Sequence, residues 1–377
     1  MSGLLPDVDP QGLLEFSVVY TDRSLNHMSG AFQQVMRDLS GQLKSVYNAQ
    51  SVAIIPGSGT VGMEAVARQF ATDKKALVIR NGWFSYRWTQ IFEMGRIPRE
   101  ELVCKAQFQS DEPEAPLAPM PVEQVVETIL NERPDIVFAP HVETSAGMIL
   151  PEAYLKRVAD AAHEVGALFV LDCIASGTIW VDMKACGVDV IISAPQKGWS
   201  GSPCCGLVMM SDAARARLDE TTSTSFAIDL KKWTQIMETY ESGAHAYHAT
   251  LPTDGLRQLR DVMREAEQFG FDQLKRAQQE LGEKARALLS DHGIKSLAAD
   301  GFGAPGVVVA YTQDNEIQNG SRFAQAGFQI AAGVPLQVDE PDGFKTFRIG
   351  LFGIDKLMNV ERTLGMLADA LKKVGLS

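Results

Sequence analysis

Runs of consecutive apolar residues, rich in Val, Ile and Leu, recur along the first two thirds of the chain. They predict strands at residues 52–56, 75–80, 135–140, 167–172, 188–193 and 205–211. A strand that is apolar on both sides is buried on both sides, which is typical of a parallel sheet covered by helices. The loop before residues 205–211 is too short for a helical crossover, so this strand is predicted to be antiparallel.

The segments between these strands have helical spacing. Residues 62–71 place Met63, Val66, Ala67 and Phe70 on one face. Residues 152–166 predict an amphipathic helix that ends at Gly166. Residues 110–122 are acidic and rich in Pro, and they predict a surface loop.

The pattern changes after about residue 252. Residues 253–292 are predicted to be helical with a break at Gly270, and strands at 306–311 and 346–352 precede a helix at about 357–374. We therefore predict an α/β chain with two domains. The large domain covers residues 1–268, and a smaller α+β domain covers residues 269–377.

Charge and hydropathy exclude two classes of partner. Lys and Arg number 35 against 47 Asp and Glu, a formal net charge of −12, so nucleic acid is not an expected ligand. A few well-aimed donors still suffice to hold a small anion. Without an uninterrupted apolar window of about 18 residues, no membrane span is expected.

The cysteines indicate a reducing compartment. Their number is odd and they form no CxxC pair, a pattern that suits neither a disulfide framework nor zinc ligation. The N-terminus lacks the basic region and apolar run of a secretory signal. We expect a cytoplasmic protein without a metal site. The five cysteines are Cys104, Cys173, Cys186, Cys204 and Cys205.

Two polar clusters follow predicted strands, where ligands bind in a parallel sheet. The sequence PGSGT at 56–60 offers glycines, hydroxyls and a helix N-terminus, which suit a phosphate. The alternative is a plain glycine turn with a Ser or Thr cap. Asp172 ends an apolar strand and needs a cation or a strong donor, and the alternative is a helix cap or a structural ion pair.

Lys197 and Arg348 complete the polar set. Lys197 lies just beyond an apolar strand, either as a surface residue or as a desolvated amine with a lowered pKa. Arg348 lies between apolar neighbours in a strand and should pair with a carboxylate. A phosphate site, a buried carboxylate and a reactive lysine are the parts that pyridoxal phosphate requires.

In its motifs the chain resembles the class V aminotransferases, which are pyridoxal-phosphate enzymes of fold type I. Within this family it resembles the alanine–glyoxylate and serine–pyruvate aminotransferase group. The motifs follow the family's order along almost the whole chain: GSGT, NGWF, HVETSAG, VLDCIAS, SAPQKG, YHAT and FRIGLFG. The resemblance implies a large domain with a mainly parallel seven-stranded sheet and a smaller C-terminal α+β domain.

The resemblance also implies roles for individual residues. Lys197 would carry the cofactor as a Schiff base and later move a proton at the substrate's α-carbon. Asp172 would bind the pyridine nitrogen, and Arg348 would clamp the α-carboxylate of the substrate. The cofactor phosphate would be bound by Ser58, Gly59 and Thr60, with Gln196 beside the lysine, and by Tyr247 and Thr250 from the second subunit of a homodimer.

Around the cofactor ring, the resemblance places Phe84 on one face and Ile174 on the other. Trp83 is the alternative stacking residue because it is adjacent to Phe84. Thr144 matches a hydroxyl that bonds the phenolic oxygen. Glu143 is expected to orient neighbouring backbone.

The segment EFSVVYTDRSLNHMS, residues 15–29, replaces the family's Gly- and Pro-rich opening. The opening commonly touches substrate in this family, so the departure leaves the substrate open. Arg23, beside Tyr20, is a candidate for binding a second anionic group on the donor, and a solvated loop is the alternative.

The predicted activity is transfer of an amino group from a small amino donor to a 2-oxo acid such as pyruvate or glyoxylate. The alternatives are a transaminase for 2-aminoethylphosphonate or another dianionic donor, a pyridoxal-phosphate-dependent lyase, and a noncatalytic sensor domain.

Overall fold

A computed structural model describes residues 8–376. The first seven residues, on which the prediction of no secretory signal partly rests, lie outside this range. No helix in the described range is long and apolar enough to cross a membrane.

Seven strands form the main sheet. They are β1 Ser51–Pro56, β2 Lys75–Arg80, β3 Glu100–Lys105, β6 Ile136–Pro140, β9 Leu168–Asp172, β10 Val190–Ser193 and β11 Cys205–Met210. The other strands are β4 Gln107–Phe108, β5 Leu117–Ala118, β7 Val142–Glu143, β8 Met148–Ile149, β12 Val307–Tyr311, β13 Ala331–Ala332 and β14 Thr346–Gly350.

The strand order in the main sheet is β1-β11-β10-β9-β6-β2-β3. From β10 to β3 all neighbouring strands are parallel, whereas β11 runs antiparallel to both β1 and β10. The predicted antiparallel strand is therefore confirmed. The prediction missed β3, an edge strand whose sequence EELVCK mixes charged and apolar residues and lacks the continuous apolar run of the inner strands.

Helices cover the sheet and form the rest of the chain. Within residues 8–376 they are α1 Gly30–Tyr47, α2 Gly59–Phe70, α3 Trp83–Gly95, α4 Val122–Glu132, α5 Glu152–Glu164, α6 Met183–Cys186, α7 Asp212–Glu220, α8 Leu230–Glu241, α9 Thr253–Phe269, α10 Phe271–Asp291, α11 Asn315–Gln318, α12 Ser321–Gln325, α13 Ile354–Leu357 and α14 Val360–Lys373. Helices α2 and α8 pack against β11 and β1, α3 against β2, and α5 against β9.

The C-terminal part has its own small sheet and core. Strands β12, β14 and β13 pair antiparallel, and α10 and α14 pack together beside them. The predicted helical break is present, because Gly270 has φ +104° and separates α9 from α10. Along α9 the core changes, because Met263 belongs to the core of the main sheet and Ala266 belongs to the C-terminal core. The exact boundary between residues 268 and 269 stays a prediction.

The prediction of a surface loop at residues 110–122 is wrong for its second half. Residues 110–113 are exposed, but Ala115, Leu117 and Ala118 are buried. Leu117 donates its N–H to Leu297 O and accepts from Ala299 N, so the segment is bonded to the C-terminal part. Its Pro residues suggested a loop, yet Leu117 packs in a cluster that both parts of the chain share.

Candidate active site

Most of the predicted site residues line one cavity of about 410 Å³. The cavity lies at the carboxyl ends of the strands and is closed on one side by β14 of the small sheet. The ten predicted residues that line it are Ser58, Gly59, Thr60, Phe84, Thr144, Asp172, Ile174, Gln196, Lys197 and Arg348.

The loop between β1 and α2 holds the residues of the predicted phosphate site. Ser58 is the N-cap of α2, and its Oγ accepts from Val61 N at 3.4 Å. Gly59 is buried against Ile174, and a Cβ at this position would lie 2.6 Å from Ile174 Cδ1. Ser58 can cap α2 and still take part in the predicted phosphate site, because the first N–H groups of α2 point out of the helix.

Asp172 ends β9 with a side chain that needs a partner. The residue is only 8% exposed, and its Oδ1 accepts from Ile174 N at 2.9 Å. Burial raises the pKa of the carboxyl to about 7, although Ile174 N and, more weakly, Arg87 act in the opposite direction. A protonated pyridine nitrogen would supply the missing donor and charge, so Asp172 fits the predicted cofactor.

Lys197 follows β10 and reaches the same cavity. Burial lowers the pKa of its amine, and the positive charge of Arg348 lowers it further. Its Nζ lies 5.2 Å from the ring centroid of Phe352. A larger fraction of this amine is therefore neutral near pH 7 than for a solvated lysine, as covalent attachment and proton transfer require.

Arg348 enters the cavity from β14. Its Nε donates to Ala332 O at 2.7 Å, which fixes the guanidinium against β13. Burial lowers the pKa of this group, and the charge of Glu143 partly offsets the effect. Within residues 8–376 the Arg348 side chain makes this one hydrogen bond, through Nε. Its two terminal nitrogens are therefore available for a carboxylate.

A buried carboxylate positions the aromatic wall. Glu143, at the end of β7, accepts from the backbone N–H groups of Phe84 and Ser85 at 3.2 and 2.8 Å, at the start of α3. It also accepts from Ser145 N and Ser145 Oγ. The prediction that Glu143 orients backbone agrees with these bonds. Phe84 lines the cavity, whereas Trp83 packs its ring 5.7 Å from Tyr86.

Sequence reasoning missed Arg87. It lies one turn into α3, lines the cavity, and donates from Nη1 to Thr60 Oγ1 at 3.0 Å. Its guanidinium is 5.1 Å from the Phe84 ring centroid, and that of Arg348 is 5.5 Å from the same ring. An arginine on an amphipathic helix usually faces solvent, and the only available signal was its place four residues after Trp83 in the NGWF motif.

Three predicted residues lie elsewhere. Tyr247 and Thr250 are exposed in the segment between α8 and α9, where Tyr247 Oη lies 3.2 Å from Thr250 Oγ1. Arg23 is also exposed, and its backbone N–H bonds Thr21 Oγ1 at 3.4 Å. None of the three lines this cavity.

His141 is the histidine of the HVETSAG motif. His141 is buried, its Nδ1 lies 2.7 Å from Ser176 Oγ, and burial lowers its pKa to about 3. The side chain is therefore neutral at physiological pH and has a structural contact. Among residues 8–376 no group of three or more His, Cys, Asp or Glu side chains is arranged to hold a metal ion.

Comparisons with known proteins give relatives along most of the chain. A protein from Synechococcus sp. named soluble hydrogenase, small subunit, is 26% identical over 354 residues, covering 93% of this chain and 88% of the relative. The 2-aminoethylphosphonate–pyruvate transaminase of Vibrio parahaemolyticus is 25% identical over 347 residues, covering 90% and 88%.

A solved structure has the same fold. The alanine–glyoxylate aminotransferase of Nostoc sp. superposes with a TM-score of 0.76 at 22% identity, covering 92% of this chain and 88% of that one. The family model for class V aminotransferases matches residues 13–300. The chain belongs to the class V aminotransferase family and is a pyridoxal-phosphate-dependent aminotransferase.

Proposed function

We propose that this enzyme moves the amino group of a small donor with an uncharged side chain, such as alanine or serine, to glyoxylate or pyruvate. The observation that carries the proposal is the convergence of Lys197, Asp172 and Arg348 on one cavity of about 410 Å³. Arg348 offers one site for the α-carboxylate, and Arg23, the predicted partner of a second anionic group, is exposed outside this cavity.

When bound, pyridoxal phosphate supplies an electron-withdrawing ring that stabilises negative charge at the substrate's α-carbon. Asp172 keeps the proton on the ring nitrogen by its negative charge. Lys197 takes the proton from the substrate's α-carbon and delivers it to the carbon on the other side of the transferred nitrogen. Arg348 holds the carboxylate so that the α-carbon stays beside Lys197.

A half-reaction tests this activity against that of a lyase. The enzyme is mixed with donor alone, without an acceptor. A transaminase releases one equivalent of the donor's 2-oxo acid per active site and then stops, and glyoxylate restarts it. Continuous turnover of donor without acceptor would indicate a lyase and contradict the proposal.

We further propose a homodimer in which Tyr247 and Thr250 reach the partner's phosphate site. Large hydrophobic residues that are strongly exposed in residues 8–376 support this, because seven of ten lie in residues 13–28 and 226–247, two segments that contact each other at His27 and Tyr247. They are Leu13, Leu14, Phe16, Val18, Met28, Phe226 and Tyr247. Isolated monomers rarely expose such a patch.

The five thiols form no disulfide, which supports a reducing, cytoplasmic location.

The connection within this surface runs through the N-terminal arm, defined as residues 13–19. Glu15 binds Asn26 Nδ2 at 2.7 Å, and His27 beside it has its ring 5.5 Å from that of Tyr247. One side of the arm is thus held by its own subunit. On the other side Phe16 is 89% exposed and Val18 101%, which supports burial by a second copy.

A second candidate is a donor with two negative charges, such as an aminophosphonate. Arg87 favours it, because a second guanidinium lines the cavity besides Arg348. However, Arg87 is bonded to Thr60, in the loop proposed for the cofactor phosphate. We therefore assign Arg87 to the cofactor phosphate, and its substitution separates the two roles.

The variant is Arg87→Gln, with Arg68→Gln as the matched control, since Arg68 binds Glu64 outside the cavity. Loss of one charged hydrogen bond, roughly 1.5–3 kcal/mol, should raise the cofactor Kd about 10- to 100-fold. Equilibrium dialysis measures this Kd. An unchanged Kd with a selective loss of kcat/KM for 2-aminoethylphosphonate would assign Arg87 to the substrate instead.

A further inference from the structure

Two adjacent cysteines, Cys204 and Cys205, stand at the start of β11 with their sulfur atoms 3.8 Å apart. Cys205 is fully buried, whereas Cys204 is half-buried. The catalytic chemistry described above uses neither thiol. The two sulfurs are within hydrogen-bonding distance of each other, and this interaction with Cys205 lowers the pKa of the Cys204 thiol. The outer thiol is thus the more reactive of the two.

The pair is attached to the loop that binds the cofactor phosphate. Gly57 N donates to Cys204 O at 3.0 Å, and Cys205 pairs with Pro56 across the strands. Ser58 follows directly in the chain. On its other side the Cys204 sulfur packs near Gly255, where a Cβ would lie 3.3 Å from it, at the start of α9.

An internal disulfide does not suit this pair. Disulfides join residues whose Cα atoms are about 4.4–6.8 Å apart. Consecutive Cα atoms across a trans peptide are only about 3.8 Å apart, and twisting that peptide is costly. A single soft atom that accepts both sulfurs avoids this problem. Two sulfurs at about 2.3 Å from a pyramidal trivalent centre lie about 3.4 Å apart, so this pair needs to approach by only a few tenths of an ångström.

A metal ion would need further protein ligands, and none are grouped with this pair in residues 8–376. Trivalent arsenic that already carries one organic group needs only two sulfurs. We propose that Cys204 and Cys205 form a two-thiol binding site for trivalent organoarsenicals, and that binding there loosens the phosphate loop at Gly57–Ser58. The second half rests on the proposed cofactor site, whereas the capture itself does not.

The reaction with phenylarsine oxide balances without an oxidant. The Cys204 sulfur adds to arsenic first, and Cys205 then closes the ring. Two As–S bonds form, the bond between arsenic and oxygen breaks, and the two thiol protons leave with that oxygen as one water molecule. Arsenic remains trivalent throughout. Closing the ring moves the peptide between the two cysteines and therefore the carbonyl that accepts from Gly57.

The test treats the reduced, full-length protein with one equivalent of phenylarsine oxide. Mass spectrometry should show one phenylarsenic group per chain, which 2,3-dimercaptopropanol removes and the same thiol concentration of 2-mercaptoethanol does not. Cys204→Ser and Cys205→Ser should each leave an adduct that 2-mercaptoethanol removes. Cys186→Ser, a buried cysteine in α6, should behave like the wild type.

Failure to bind under native conditions, or resistance to 2-mercaptoethanol that survives Cys204→Ser, would overturn the site. If Cys205→Ser does not fold, the Cys204→Ser protein and the wild type decide the question. To test the loosening of the phosphate loop, cofactor release is compared between holoenzyme with and without the phenylarsenic group. Holoenzyme that carries the group should release cofactor about tenfold faster, as expected for one lost hydrogen bond. An unchanged release rate in fully labelled enzyme would refute the loosening and leave the proposed transaminase activity untouched.

Discussion

Replacing Asp172 by Asn should make the cofactor-free protein more stable and the complete enzyme less active. In the apoprotein the carboxyl is buried with one backbone donor, and its pKa is raised from 3.8 to about 7. At about 1.4 kcal/mol for each pKa unit, ionising it in the fold costs about 4 kcal/mol relative to the unfolded chain. Asn keeps an acceptor for Ile174 N and carries no charge.

The sign of the pH dependence follows from the raised pKa. The folded protein keeps the proton up to about pH 7, whereas the unfolded chain loses it near 3.8. The wild type therefore loses stability as the pH rises between these values, and the Asn variant lacks this loss. The advantage of the variant should grow from about 2 kcal/mol at about pH 5 to at most about 4 kcal/mol at about pH 8.

Urea unfolding of both apoproteins at one fixed concentration measures this difference. The holoenzyme should instead lose activity on the same substitution, because the ring nitrogen of the cofactor loses the negative charge of Asp172. Turnover of Asp172→Asn should fall by roughly 2.7–4 kcal/mol, or about 10²- to 10³-fold. An advantage in urea that does not grow between these pH values would refute the stability argument. Near-wild-type turnover would refute the catalytic role.

Three other predictions follow from the site and its surroundings. Lys197→Ala should abolish transamination while the folded protein still binds cofactor reversibly, and a borohydride-stable link to the cofactor in that variant would place the attachment elsewhere. Arg23→Ala should leave kcat/KM unchanged for neutral and dianionic donors, because Arg23 is exposed outside the cavity; a loss confined to the dianionic donor would show that it serves a substrate. The double variant Phe16→Ser, Val18→Ser should weaken the dimer in sedimentation and lower cofactor occupancy in parallel, and a full-strength dimer would remove the N-terminal arm from the interface.

Much of the fold could be predicted because the inner strands carry an uninterrupted apolar signal. Residues 188–193 and 205–211 were recognised for this reason, whereas the reversed direction of the second strand followed from the short loop before it. The edge strand β3 has solvent on one side, so its polar residues hid it. The segment that contains Leu117 was misinterpreted because its burial depends on Leu297, which is remote in sequence.

The site could be predicted where chemistry is unusual for its position. A carboxylate such as Asp172 at the end of an apolar strand, or a glycine loop before a helix, is conspicuous in a sequence. Arg87 was not, since an arginine within a helix has many ordinary roles. Its contact with Thr60 arises only when α3 packs beside α2.

The placement of Arg348 has a consequence for substrate length. Arg348 belongs to β14 of the small sheet, whereas Asp172 ends one strand of the main sheet and Lys197 follows another. The amine end and the anionic end of a donor would thus be bound by residues of two different sheets. An amino acid spans that gap with one carbon between its amine and its anion. In the proposed binding mode, a donor with a longer separation between its amine and its anion would fit only if the two sheets shifted apart, so the packing between the sheets would select donors by length.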